Sequence, residues 1–364
     1  MKRLLQILIF AITILSVSAH ALNLMENSRY AFTEQSEVYN NTNLAWKQTT
    51  SSTLNLGYHD NYLVVETQSI DSTSLPESPL LIIEYPRLDD IEVFHYIDGV
   101  IVETFSFGDS YPFDSREIDN RNFVAKINAS EGNHRFSFIV KSDSSLVLPA
   151  RLESEKDFYS NDARLISFLM LFHGAMLIMA LYNLMVFLFS RERVYLGYSI
   201  YIIVASLMIA SMNGITYQFL WGQFPKFQEL FSHVAVQLVA ISLLYFSKIF
   251  LSINFGERFS KVFNIFMALN VVSIISTVFF PMAATISMSM VFLLLSGIFI
   301  GYLLFKRYKS GEFLTNRGLK IFAFAFSLPL LSGILSTLEK ISILKSSCII
   351  DVSLYVAILV ESLL

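Results

Sequence analysis

From Leu165 onward the chain carries seven apolar segments long enough to cross a bilayer, which takes about 20 residues of helix each. In hydrocarbon every backbone N–H and C=O must find its partner within the segment or in a closed barrel, so runs of this length fold as membrane-spanning helices. They fall near 165–190, 194–213, 231–253, 262–281, 283–305, 319–338 and 346–364. Only Pro281-Met282 divides the fourth from the fifth, which demands a tight turn there. Across the 364 residues 54% are hydrophobic and 15% charged, too apolar a balance for a soluble protein of this size.

Charge divides the chain into two unlike halves. Residues 22–163 hold 23 Asp and Glu against 10 Lys and Arg, whereas 164–364 hold 7 against 14. The acidic half is expected outside the cell membrane and the basic surplus in inner loops. Arg191, Arg193, Lys248, Arg258, Lys261, Lys306, Arg307, Lys309, Arg317 and Lys320 then face inward, and Arg164, Lys226, Lys340 and Lys345 outward. Met1–Ala21 reads as an export signal: Lys2 and Arg3, the apolar run Leu4–Val17, then Ala19-His20-Ala21 for cleavage. Both features predict a multi-pass membrane protein with an exported N-terminal domain and a cytoplasmic C-terminus. No basic stripe lies outside the short inter-span loops, which disfavours nucleic acid as a partner.

The exported half, 22–160, contains no cysteine, since the chain's one thiol is Cys348, so its core must hold without disulfides. Short alternating runs occur at Leu54–Tyr58, Tyr62–Thr67, Leu80–Tyr85, Ile91–Ile97, Val100–Phe107, Asn122–Ile127 and Arg135–Lys141. Turn residues such as Asp98-Gly99 and Gly132-Asn133 punctuate them, and this predicts an all-β jelly-roll or sandwich domain ahead of the all-α bundle. Trp46, Tyr58, His95, Asp109, Arg116 and Arg121 supply the aromatic and hydrogen-bonding groups of an expected ligand face. The competing reading puts Trp46 and Tyr58 in the core and His95 on a surface strand, with the Asp and Arg residues pinning a long loop.

Polar groups at membrane depth are costly and therefore informative. His173, Asn183, Asn213, His233 and Asp351 qualify by position, while Lys248, Glu339 and Glu361 lie nearer span ends. The chain has no Walker-type phosphate loop, no H-E-x-x-H and no G-x-S-x-G, which argues against an enzyme. No metal or other cofactor is expected.

Several local strings carry a family resemblance. They are Leu54-Asn55-Leu56-Gly57, Tyr85-Pro86-Arg87-Leu88-Asp89-Asp90-Ile91, Gly108-Asp109 followed by Pro112-Phe113 and Arg116, Arg121-Asn122-Phe123, and Leu146-Val147-Leu148-Pro149. Gly174 with Leu181-Tyr182-Asn183-Leu184, and Arg191-Glu192-Arg193-Val194-Tyr195-Leu196, add to them in the membrane half. In order and spacing the chain resembles the bacterial seven-transmembrane receptors with diverse intracellular signalling modules, the 7TMR-DISM family. The resemblance implies a periplasmic jelly-roll sensor, similar to carbohydrate-binding modules, that passes ligand occupancy through seven helices. It also implies a cytoplasmic output such as a diguanylate cyclase, histidine kinase or phosphatase. The sequence departs from that pattern by stopping at Leu364, and the apolar ending Ile358–Leu364 favours a truncated longer receptor. The leading expectation is a non-enzymatic sensor of a carbohydrate or related small molecule, ahead of an envelope scaffold and a transporter subunit. Its expected partners are the ligand, the bilayer, a cytoplasmic signalling protein or absent output domain, and a second copy in a homodimer.

Overall fold

The structure, a computed structural model, describes residues 21–34, 44–251, 257–277, 279–280, 282–340, 344 and 348–363. The expected export signal lies outside the described residues apart from Ala21. Residues 22–154 form an antiparallel β-sandwich. Its strands are β1 (Leu22–Asn23), β2 (Arg29–Thr33), β3 (Lys47–Gln48), β4 (Leu54–Asn55), β5 (Tyr62–Glu66), β6 (Ile70–Asp71), β7 (Pro79–Ile83), β8 (Asp90–Ile97), β9 (Val100–Phe107), β10 (Phe123–Lys126), β11 (Asn133–Lys141), β12 (Val147–Leu148) and β13 (Ala150–Ser154). One sheet runs β1-β13-β7-β10 and the other β3-β2-β5-β11-β8-β9, with β6 beside β11 and β12 paired to β4.

Alternation along these strands sends one set of side chains inward. Leu63, Val65, Leu81, Ile83, Ile91, Val93, Phe136 and Phe138 meet in a single core between the sheets. Asp98 and Gly99 take the left-handed backbone (φ 50° and 83°) that a two-residue hairpin needs, placing Ile97 opposite Val100. Strand β7, Pro-Leu-Leu-Ile-Ile, has no polar face because both of its faces are covered. Leu80 and Ile82 on its outer side pack with Val124 and with Phe158, which belongs to the first helix of the bundle.

That helix, α1 (Glu155–Ser190), is 36 residues long and begins where β13 stops. Ser154 caps it by accepting from the backbone N–H of Asp157 at 3.1 Å, with Glu155 and Asp157 favourably placed in the first turn. The remaining helices are α2 (Arg193–Met212), α3 (Ile215–Phe219), α4 (Pro225–Leu251), α5 (Glu257–Ser276), α6 (Met282–Lys309), α7 (Glu312–Thr315), α8 (Arg317–Lys340) and α9 (Cys348–Leu363). Among the described residues six of them, α1, α2, α4, α5, α6 and α8, are long and apolar enough to cross a membrane. The seventh expected segment corresponds to α9, whose 16 described residues fall short of the roughly 20 that a full crossing takes.

Phe158 is 2% exposed and joins the sheet to the bundle. Phe158→Ala should cost about 3 to 5 kcal/mol of stability through the cavity it leaves, read from thermal unfolding of the full chain in nanodiscs. A loss below about 1 kcal/mol would show that the sheet and α1 do not depend on each other.

Candidate functional site where the sandwich meets the bundle

The loop after β9 carries most of the sandwich's grip on the bundle. Gly108 sits so close to the β7–β8 connection that a Cβ would meet the Asp89 carbonyl oxygen at 2.0 Å, and Asp109 N donates to Leu88 O at 2.9 Å. The chain then turns toward α3, where Phe113 N donates to Gly222 O at 2.9 Å and the Tyr217 hydroxyl donates to Tyr111 O. Gln223 donates to the Asp114 carboxylate from the same outer loop. Arg116 closes the loop: its Nη1 donates to the carbonyls of Asn120 and Arg121 at 2.7 and 2.8 Å. Its guanidinium lies over Phe113 (4.7 Å), Phe123 (4.6 Å) and Tyr217 (5.7 Å). Asn120 and Arg121 reach Asp162 on α1 at 2.8 and 3.4 Å.

Two glycines let the backbones approach. At Gly214 (φ 72°) a Cβ would meet Pro86 Cβ at 2.9 Å, and at Gly222 it would meet Phe113 Cβ at 2.8 Å. Both contacts join the outer α2–α4 connection to the sandwich.

A small pocket at this junction is lined by Tyr58, Arg87, Asp89, Asp109, Asp143, Glu229 and His233 among others. Burial, with Asp89 and Glu229 adding like charge, holds the Asp109 carboxyl well above the ordinary carboxylate range, against the pull of Arg116 and Arg87. Burial also raises the Asp89 carboxyl, lifts the Tyr58 phenol to about 12 and lowers the Arg116 guanidinium to about 10, so Arg116 stays cationic at neutral pH. Arg87, Met212 and Val236 are shared with a second cavity of about 560 Å³ that runs from the underside of the sandwich into the bundle. Glu84, Tyr85, Arg87, Arg121 and Asn122 line its outer part, and Ala205, Val239, Leu243, Leu294, Phe326 and Ile358 line its depth.

The six residues expected on one ligand face are thus divided. Tyr58, Asp109, Arg116 and Arg121 lie at the junction with the bundle. Trp46 is half-buried at the outer sheet edge under Arg29, with 4.5 Å from the guanidinium carbon to the ring centroid. His95 is fully buried, bonded to Glu103 Oε2 at 2.8 Å and His134 Nδ1 at 2.9 Å, and stacked on Phe136, so it is no surface strand residue.

The intramembrane polar groups have mostly local partners. His173 Nδ1 meets Ser206 Oγ at 2.8 Å, Asn183 donates to Met179 O at 2.9 Å, and His233 Nδ1 lies 2.6 Å from Glu229 O. Asn213 donates to Ile209 O and accepts from the Tyr355 hydroxyl, both at 2.8 Å, which ties α2 to α9. The side chain of Asp351 lies outside the described residues. Sequence reasoning missed Gln228, gave Arg87 and Asn122 no place on the ligand face, and set Glu361 near a span end without a partner. Gln228 is buried and accepts from Thr216 Oγ1 (2.9 Å) and Trp221 Nε1 (2.6 Å), while the Glu361 carboxylate accepts from the Tyr201 hydroxyl at 2.8 Å. The Tyr201 hydroxyl supplies the partner that a carboxylate in an apolar run needs. Among the described residues no group of three or more His, Cys, Asp or Glu side chains is placed to hold a metal ion.

A family model described as 7TM diverse intracellular signalling matches residues 166–364, more than half of the chain, and one described as 7TMR-DISM extracellular 2 matches residues 25–154. The chain belongs to the 7TMR-DISM family. Comparison with curated proteins finds no match. This 7TMR-DISM chain is therefore a receptor-like membrane signalling protein whose sandwich is its extracellular domain.

Two outcomes follow from this geometry. Gly222→Val should free the loop around Phe113 from the bundle, seen as faster amide exchange across residues 111–122 with β8 and β11 still protected. Exchange unchanged from the parent would show that docking does not depend on the close approach. The raised carboxyl of Asp109 binds its proton more tightly in the folded chain than in the unfolded one. Stability should therefore fall as pH rises from about 4 toward the raised value. Asp109→Asn should flatten that fall in a thermal-melt series from pH 4 to 8, and equal slopes for parent and variant would refute the assignment.

Proposed function

We propose that this 7TMR-DISM protein is a non-enzymatic sensor of the bacterial inner membrane. A small molecule on the periplasmic side changes how the sandwich sits on the bundle, and the helices carry that change to a cytoplasmic output domain or partner. The observation that supports this reading best is the unbroken course of α1. The final strand hands over at the Ser154 cap to one helix that runs through the first span. A junction without a Gly/Ser-rich linker passes displacement rather than absorbing it. The second attachment, through Phe113, Arg116 and Tyr217, lies on the α2–α4 connection, so movement of the sandwich bears on at least two parts of the bundle. An orientation with the sandwich periplasmic agrees with the basic residues of the α1–α2 and α6–α8 connections.

The test uses the full chain in lipid nanodiscs. A thermal-shift screen of sugars, organic acids and amino acids should return a ligand, since occupancy at 100 times Kd adds about 2.7 kcal/mol. A fluorescent probe on Ser310→Cys, in a Cys348→Ser background, should respond to that ligand. Five Gly and Ser residues inserted between Asp157 and Arg164 should abolish the response and leave binding intact. A response that survives the insertion defeats the coupling route.

A further inference from the structure

The larger cavity has a construction that the sensing reading does not use. Its depth is apolar, built from α2, α4, α6, α8 and α9, whereas its outer end is polar and belongs to the sandwich. Its volume of about 560 Å³ lies in the range of ordinary small-molecule sites. Pro329 on α8 removes one backbone donor where that helix lines the cavity. The outer end carries an unusual set of unused groups. Arg121 is 4% exposed and Asn122 is 2% exposed, yet Arg121 Nε and Asn122 Oδ1 are buried with no hydrogen-bond partner among the described residues. Arg87 Nε is a third such atom, the side chain's Nη2 being spent on the Tyr85 hydroxyl at 2.6 Å. Buried polar groups left this way cost free energy unless something else satisfies them.

The charges at this end are only partly cancelled in place. Glu84 also lines the cavity, but Arg151 holds it in an ion pair. Glu339, the other lining carboxylate, has a partner of its own. Arg121 shares Asp162 through Nη2 at 3.4 Å, a long contact that leaves Nε free.

We infer that the cavity binds an amphiphile. Its apolar chain lies among the helices, and its head pairs an anionic group with an adjacent N–H or O–H donor, as in an N-acyl amino acid or a 3-hydroxy fatty acid. Arg87 and Arg121 line the outer end and supply donors for the anion, and the Asn122 carboxamide, once turned toward the cavity, accepts from the neighbouring N–H or O–H. The chain of such a ligand reaches α9 at Ile358, one turn before Glu361. The inference rests on the sensing reading and deepens it by naming a ligand class, and its test reads occupancy separately from signalling.

The experiment measures binding of radiolabelled N-dodecanoylglycine to the full chain in nanodiscs by scintillation proximity, with unlabelled competitors. Binding should saturate. Unlabelled N-dodecanoylglycine should compete roughly tenfold better than its methyl ester, which lacks the anion, and better than dodecanoate, which lacks the N–H donor. Arg87→Gln and Arg121→Gln should each weaken binding by roughly tenfold and remove the preference over the ester. Asn122→Leu should remove only the preference over dodecanoate. Because Arg121 also meets Asp162, Arg87→Gln keeps the test sound if the Arg121 variant unfolds. Leu294→Trp, which narrows the apolar part, should weaken all three competitors together. Binding that does not saturate, an ester that competes as well as the acid, or full affinity in both arginine variants would overturn the proposal. Saturable, head-selective binding with no change in the probe at position 310 would leave the site standing and defeat the signalling reading instead.

Discussion

Arg116 joins the exported domain to the helices, and it does so with a charge taken largely out of water. Burial of a guanidinium is expensive, and this one has no carboxylate in ion-pair contact among the described residues. Its compensation is distributed: two short bonds to backbone carbonyls and the faces of Phe113, Phe123 and Tyr217. Two of the three rings belong to the sandwich and the third to the short outer helix α3. The arginine therefore gains its third ring only when both domains are in register, and the loop that holds Asn120 and Arg121 against α1 is ordered by the same side chain. Remove that condition and Asp162, Asn120 and the outer cavity wall lose their alignment together.

The neighbouring small pocket adds a second electrostatic condition of opposite sign. Asp89, Asp109 and Asp143 come from three loops of the sandwich and face Glu229 and His233 on α4. Like charges brought together by docking favour a proton on the most buried member, Asp109, so docking and proton uptake are linked. Arg87 lies between this acidic pocket and the larger cavity and moderates the first while remaining incompletely bonded itself. The junction thus contains two incompletely bonded cations, Arg87 and Arg116, the latter with its Nε and Nη2 unpartnered among the described residues.

Much of the architecture was legible in the residues because strand and span signals have different periods. Each of the seven alternating runs corresponds to a strand, and Asp98-Gly99 is the hairpin turn its composition demands. Six of the seven expected spans correspond to helices long and apolar enough to cross a membrane, although α1 starts ten residues before the apolar run does, since Glu155–Arg164 is polar helix that packs on the sandwich. The ligand face was not legible. Trp46, Tyr58, His95, Asp109, Arg116 and Arg121 are all plausible binding chemistry, and nothing local to any of them records which side of a sandwich it will occupy. His95 and Arg116 illustrate the difference: both are polar and withdrawn from water, but one has its partners Glu103 and His134 within its own domain and the other adds Tyr217 across the boundary. Gln228 escaped notice for a similar reason, because an uncharged amide near a span end carries no sequence signal beyond its polarity.

The placement of the apolar cavity follows from these same contacts. A bundle that packed tightly to its outer end would leave no room below the sandwich, and a sandwich that stood away from the bundle would leave the cavity open to water. Gly214 and Gly222 set the separation by permitting backbone approach at the α2–α4 connection, while Pro86 and Arg121 fill the space against Gly214. The result is an enclosure with one wall from each domain, polar where it meets the sandwich and apolar where it enters the membrane. Its inner wall includes α9, which Asn213 ties to α2 through Tyr355 and which Tyr201 ties again through Glu361.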